Sequence, residues 1–203
     1  MDGYDNKWNI KSESSKADDI DFLKSIIGQL STYSNVDSEN ISLIGTSNGA
    51  AMVLKAIIEI PEDLFKNAIY IASQLSYDQY REERFWYNLY PSTLYTTETS
   101  LPDRNKTISF HGTNDTVIPY NGGTVNWLNK NFYHAQTSAF FLAKGQGYTG
   151  SQLPENGINT QHTNIMKYSY LNDNVVHYKI VGGDHGLGNY RNNIVEIIKS
   201  HID

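Results

Sequence analysis

The chain has 203 residues, enough for one domain (1–203) with a sizeable core, and 39% of them are hydrophobic. Its formal charge is −6, with lysine and arginine scattered along the chain, so nucleic acid is not expected as a partner. No run approaches the roughly 20 apolar residues that cross a bilayer, and with no cysteine there are no disulfides, metal thiolates or thiol nucleophiles.

In chain order, Met1-Asp2-Gly3-Tyr4-Asp5 is acidic and polar, unlike a signal peptide. Residues 17–34 predict a helix with Ile20, Leu23, Ile26, Ile27 and Leu30 on one face. A strand at 41–45, a helix at 48–59 and a strand at 68–73 follow. A polar, aromatic excursion then runs from 74 to 104. Next come a strand at 107–111, a helix near 122–133, and a long connection over 134–173. A strand at 174–181 and a helix at 190–201 close the chain, with Ile194, Ile197 and Ile198 facing inward. Strands alternating with helices predict a mostly parallel sheet of about four strands, flanked by helices on both faces. The connections 74–104 and 134–173 are where specificity should reside. Tyr77, Tyr80, Phe85, Trp86, Tyr87, Tyr90 and Tyr95 in the first either grip a substrate or pack a lid on the sheet.

Gly45-Thr46-Ser47-Asn48-Gly49 lies between the apolar strand Ile41-Ser42-Leu43-Ile44 and a helical run from Ala50. A serine on a tight strand-to-helix turn needs neighbours that are nearly free of side chain, and Gly45 and Gly49 supply that room. The helix start also aims backbone N–H groups, that of Asn48 first, at any anion forming beside Ser47. Asp115 stands just past the strand ending at His111, and His185 follows the strand ending at Val181, so Ser47, Asp115 and His185 each follow a strand. A serine needs a base, histidine titrates near neutrality, and a carboxylate fixes the imidazole tautomer.

His111 also ends a strand, but it precedes the acid and is read as bonded within its loop. Asp184 is read as a loop carboxylate turned from His185, while Asp103 and Asp173 are read as solvated. His134, His162, His177 and His201 have no metal-ligand spacing, and neither metal nor cofactor is expected.

These motifs resemble the polyhydroxybutyrate depolymerase and feruloyl esterase-like group of α/β-hydrolases. The resemblance runs in order over residues 17 to 190, through 17–23, 36–41, the elbow 45–49, Pro61 to Ala68, His111-Gly112-Thr113-Asn114-Asp115 with 117–123, and 176–186. It implies Ser47 as nucleophile, Asp115 as acid and His185 as base of a secreted serine hydrolase acting on polyester or plant-polymer esters. Members usually follow the histidine with Thr-Trp-Pro; here Gly186-Leu187-Gly188 stands instead. A complete α/β-hydrolase also places about four strands before the elbow strand and an oxyanion loop after the third. Met1 to Lys16 offers neither. The expectation is therefore a partial α/β-hydrolase fold that holds the Asn48 N–H but not the second oxyanion donor. Such a chain would be a weak catalyst, with strand 41–45 open to edge pairing in a dimer. A serine exopeptidase and an inactive assembly module are the alternatives.

Overall fold

The computed structural model describes residues 6–60, 63–102 and 106–202. The readings made on Met1 to Asp5, Pro61-Glu62 and Asp103 lie outside them. Helix α1 spans Asp19–Leu30. Its start is fixed by Asp18, whose carboxylate accepts the N–H groups of Ile20 and Asp21, and Leu23 and Ile27 form its buried stripe. Strand β1 (Ser42–Thr46) turns directly into helix α2 (Asn48–Glu59), and β2 (Asn67–Ile71) follows. Ala72, buried in the left-handed region at φ 57°, ends β2 before the predicted limit of 73.

The main sheet has six strands, in the order β1, β2, β6 (Lys106–Gly112), β11 (Val175–Ile180), β10 (Ile165–Tyr170) and β9 (Ile158–Asn159). Strands β1, β2, β6 and β11 are parallel, and these are the four expected from the sequence. Strands β9 and β10 extend the sheet antiparallel beyond β11. The registers align Thr46 with Ile71, Ile71 with Phe110, and Gly112 with Ile180. All four parallel strands therefore end along one edge of the sheet.

Alternation along the strands separates two cores. Ala68, Tyr70 and Val175 face α2 and α3 (Ala135–Gly145), with Leu54, Ile57 and Leu142. Ile69, Phe110 and Val176 face α4 (Arg191–Ile202), with Ile194, Ile197 and Ile198. Helices thus cover both faces.

Three expectations are corrected. Residues 122–133 are not helical: β7 (Gly123–Val125) pairs antiparallel with β8 (Lys130–Phe132) around the short 3-10 turn Asn126–Leu128. Gly122 and Gly123 at φ 75° and 98°, with Asn129 at φ 50°, set a hairpin conformation that a right-handed helix cannot include. Connection 134–173 holds helix α3 and strands β9 and β10. The β10–β11 hairpin turns through Leu171, Asn172 and Asp173, all at positive φ. Asp173 is not simply solvated either. Its carboxylate pairs with Lys167 at 2.7 Å and accepts the Ser169 hydroxyl.

Within 74–102 lies a small antiparallel sheet, β3 (Tyr80–Arg81), β4 (Arg84–Tyr87) and β5 (Thr97–Thr99). Tyr80 and Phe85 are buried in the core, with Tyr80 stacked on Phe141 at 4.1 Å between centroids. The Tyr80 and Phe85 rings are packing, while Tyr77 and Tyr90 are exposed.

The junction of β1 and α2 depends on a missing side chain. A Cβ on Gly45 would lie 2.2 Å from the Gly49 carbonyl oxygen. Gly45→Ala should therefore lose at least about 2 kcal/mol of stability. Gly28, inside α1 with nothing within 4 Å of its absent Cβ, should gain about 0.5–1 kcal/mol as Gly28→Ala. Urea unfolding of both variants checks the pair; equal effects would contradict the packing argument.

Candidate active site

Ser47 is the residue between β1 and α2. Its backbone sits at φ 55° and ψ −116°, outside the ordinary regions for a side-chain-bearing residue and costing about 1–3 kcal/mol. Two bonds hold it there: the Ser47 N–H donates to the Ile71 carbonyl at 2.9 Å, and the Ala51 N–H donates to the Ser47 carbonyl at 3.0 Å. A serine at a helix start normally caps it, yet the Ser47 side chain makes no capping bond. Its Oγ lies 2.9 Å from Nε2 of His185 instead.

His185 follows β11, which stands three strand spacings from β1, roughly 14 Å at the usual interstrand distance. The loops after β6 and β11 carry side chains back across that gap, stitched together as they go. The Thr113 N–H donates to the Ile180 carbonyl (2.9 Å), and Asn114 N–H to the Gly183 carbonyl (2.8 Å). The Gly182 N–H donates to the Thr113 hydroxyl at 2.8 Å. The crossing is so close that a Cβ on Gly112 would lie 2.2 Å from the Gly183 oxygen.

Asp115 is fully buried by its side chain and accepts four hydrogen bonds. Oδ1 takes the N–H groups of Val117 (2.8 Å) and Ile118 (2.9 Å). Oδ2 takes His185 Nδ1 at 2.7 Å and His111 Nε2 at 3.1 Å. Burial by itself raises the carboxyl; the bonds from His111, His185, Ile118 and Val117 outweigh it and hold Asp115 well below the usual carboxylate range. A carboxylate against His185 Nδ1 places that ring proton on Nδ1 and leaves Nε2 as an acceptor toward Ser47.

The structure thus brings Ser47, Asp115 and His185 together, with the first-turn N–H groups of α2, that of Asn48 first, beside the Ser47 hydroxyl. His111 stays inside its loop, donating from Nε2 also to the Ile118 carbonyl at 2.9 Å. Its bond to Asp115 is a supporting contact that the sequence did not reveal. Asp184 accepts the Leu187 N–H at 2.8 Å. Leu187 is buried in the α4-side core, so it does not wall the site.

His177 is buried between the Ser109 hydroxyl (2.8 Å) and the Tyr120 hydroxyl (3.0 Å). Burial, helped by the neighbouring histidines and Lys179, holds its pKa well below the ordinary value. Among the described residues no three histidine, aspartate or glutamate side chains group as a metal site. Nor is any helix among them long and apolar enough to cross a membrane.

A cavity of about 490 Å³ opens beside Ser47 and Asn48. Segment 6–16 forms one wall, fastened by the Trp8 N–H to Asn48 Oδ1 at 2.7 Å. The β7–β8 hairpin forms another with Trp127, Leu128 and Phe132, and Tyr95 reaches it from the 74–104 segment. Neither wall is legible as such in the sequence, because the periodicity of 122–133 predicts a helix and residues 6–16 are polar with no strand pattern. Comparison of the chain with protein-family models and with curated proteins gave no match.

The Asp115 environment carries a pH signature. Its folded pKa lies below the unfolded value of about 3.9, so its contribution is present above that pH and is lost as pH falls toward the folded pKa. Asp115→Asn should flatten the acid-side fall of unfolding free energy. Urea titrations from about pH 2.5 to 6 check this, and an unchanged acid slope in the variant would contradict the assignment.

Proposed function

We propose that the chain is a serine carboxylic ester hydrolase of the α/β-hydrolase type, related to the polyhydroxybutyrate depolymerase and feruloyl esterase-like group. The observation that carries the reading is the continuous relay from Asp115 Oδ2 to His185 Nδ1 (2.7 Å) and from His185 Nε2 to Ser47 Oγ (2.9 Å). Its serine stands on a strained turn at a helix N-terminus. Each distance lies within the range in which a base takes a proton.

In this reading His185 takes the Ser47 proton as Oγ attacks the ester carbonyl. The oxyanion forms in front of the Asn48 N–H, where the helix start already presents unpaired donors. Collapse breaks the bond to the alcohol, which leaves with the proton from His185. Water then attacks the acyl-serine with His185 again as base, releasing the acid. Asp115 keeps the imidazole oriented and stabilises the imidazolium without being protonated itself.

The sheet position of β1 supports a second proposal, self-association through its open edge. Ile44 on that edge strand is 54% exposed, and nothing in the described chain pairs with its outer side. Sedimentation of the wild type against Ile44→Lys should show a dimer that the variant loses; a monomeric wild type sinks it.

Ser47→Ala should abolish labelling by a fluorophosphonate and lower hydrolysis of p-nitrophenyl butyrate by at least about 10³-fold. Aminoacyl arylamides are the control for a peptidase. Labelling that survives in the variant, or turnover confined to the arylamides, would overturn the esterase reading.

A further inference from the structure

The cavity beside Ser47 is charged opposite to the rest of the molecule. Acidic residues outnumber basic ones 22 to 16 over the chain. Yet the cavity is lined by Lys7, Lys11, Lys16 and Lys130, against the single carboxylate of Glu13. Lys16 is paired with Glu13 at 2.8 Å, and Lys130 with Asp78 at 2.6 Å. Lys11 is different: its Nζ reaches the Leu128 carbonyl at 3.4 Å and acts on the Glu13 carboxylate only at longer range, and neither it nor Lys7 is in a salt bridge among the described residues.

Lys7 and Lys11, neither in a salt bridge among the described residues, therefore line a cleft whose walls include Trp8, Trp127 and other apolar side chains. Low-dielectric walls focus such a field into the cleft, where it is screened less than on open surface. Trp127, 70% exposed on the β7–β8 turn, offers a flat apolar face at the mouth.

We infer that the cavity selects esters bearing a carboxylate away from the scissile bond, with Lys11 and Lys7 as the residues that recognise it. The inference rests on the esterase reading and adds its substrate class. The step is ordinary hydrolysis: Ser47 Oγ bonds to the carbonyl carbon, the carbon–oxygen bond to the alcohol breaks, and His185 passes the proton to the departing oxygen. Water then returns the serine, and the distant carboxylate is unchanged.

The test compares 4-acetoxybenzoate with its methyl ester, each rate divided by its own hydroxide-catalysed rate to remove leaving-group differences. At low salt the wild type should prefer the charged ester by about tenfold in kcat/KM, and the preference should shrink as salt rises. The ratio of charged to methyl ester should fall toward one in Lys11→Gln with Lys7→Gln, and Lys11→Arg should restore it. A ratio near one in the wild type, with both esters hydrolysed, overturns the inference and leaves the esterase reading standing. A high ratio that the double substitution leaves unchanged also overturns it. Hydrolysis of neither ester, with no fluorophosphonate labelling of Ser47, removes the esterase reading and this inference with it.

Discussion

The contact between Gly45 and the Gly49 carbonyl decides where the chemistry of this fold can sit. Because no side chain intervenes, β1 runs into α2 with only Ser47 between them, at φ 55°. That backbone is unfavourable for serine by about 1–3 kcal/mol. It persists because the bond from Ser47 N–H to Ile71 continues the β1–β2 ladder while Ala51 N–H begins the helix. The same geometry turns the hydroxyl away from the capping position it would otherwise occupy and toward His185. Strain, helix start and nucleophile are one feature seen from three sides.

The second requirement is reach. Asp115 and His185 stand on the loops after β6 and β11, and those two loops must cross the sheet edge in register with one another. The Gly112–Gly183 approach and the bonds from Thr113 and Asn114 make those loops a single unit. Asp115 then serves both: its Oδ1 holds its own loop through Val117 and Ile118, and its Oδ2 orients His185. Burying this carboxylate would be costly alone; four donors compensate it.

The wall formed by segment 6–16 is anchored by a buried ion pair. Lys55 on α2 pairs with Glu59 and also donates to the Ser12 hydroxyl (3.0 Å) and to Asn88 Oδ1 (3.2 Å). Asn88 in turn donates to the Lys11 carbonyl at 2.6 Å. Burial raises the Glu59 carboxyl to about 7 and lowers Lys55, so the pair is held against a desolvation penalty. Its role is positional: it ties α2, the 6–16 segment and the loop after β4 into the frame around the cavity.

How much of this was legible depended on the range of the interactions. Local pattern placed α1, β1, α2 and α4 within a few residues, because periodic apolar positions mark them, with the Asp18 cap starting α1 and Gly45 and Gly49 framing the β1–α2 turn. The same patterns placed Ser47, Asp115 and His185 after three strands. What failed was decided at longer range or by backbone sign. Segment 122–133 has enough apolar residues for a helix, but Gly122, Gly123 and Asn129 adopt positive φ to close the β7–β8 hairpin. Strand β10 falls inside the connection 134–173 and is defined by its pairing with β11, with Tyr168 and Tyr170 buried. The sequence by itself determined the parallel β/α alternation and the identity of the three candidate side chains, since both are written in short-range periodicity and spacing. Only the tertiary structure decided that Oγ, imidazole and carboxylate meet within hydrogen-bond distance, that His111 supports Asp115, and that four lysines line one cavity. Those facts depend on which loops cross and which strands neighbour, and no local pattern encodes that.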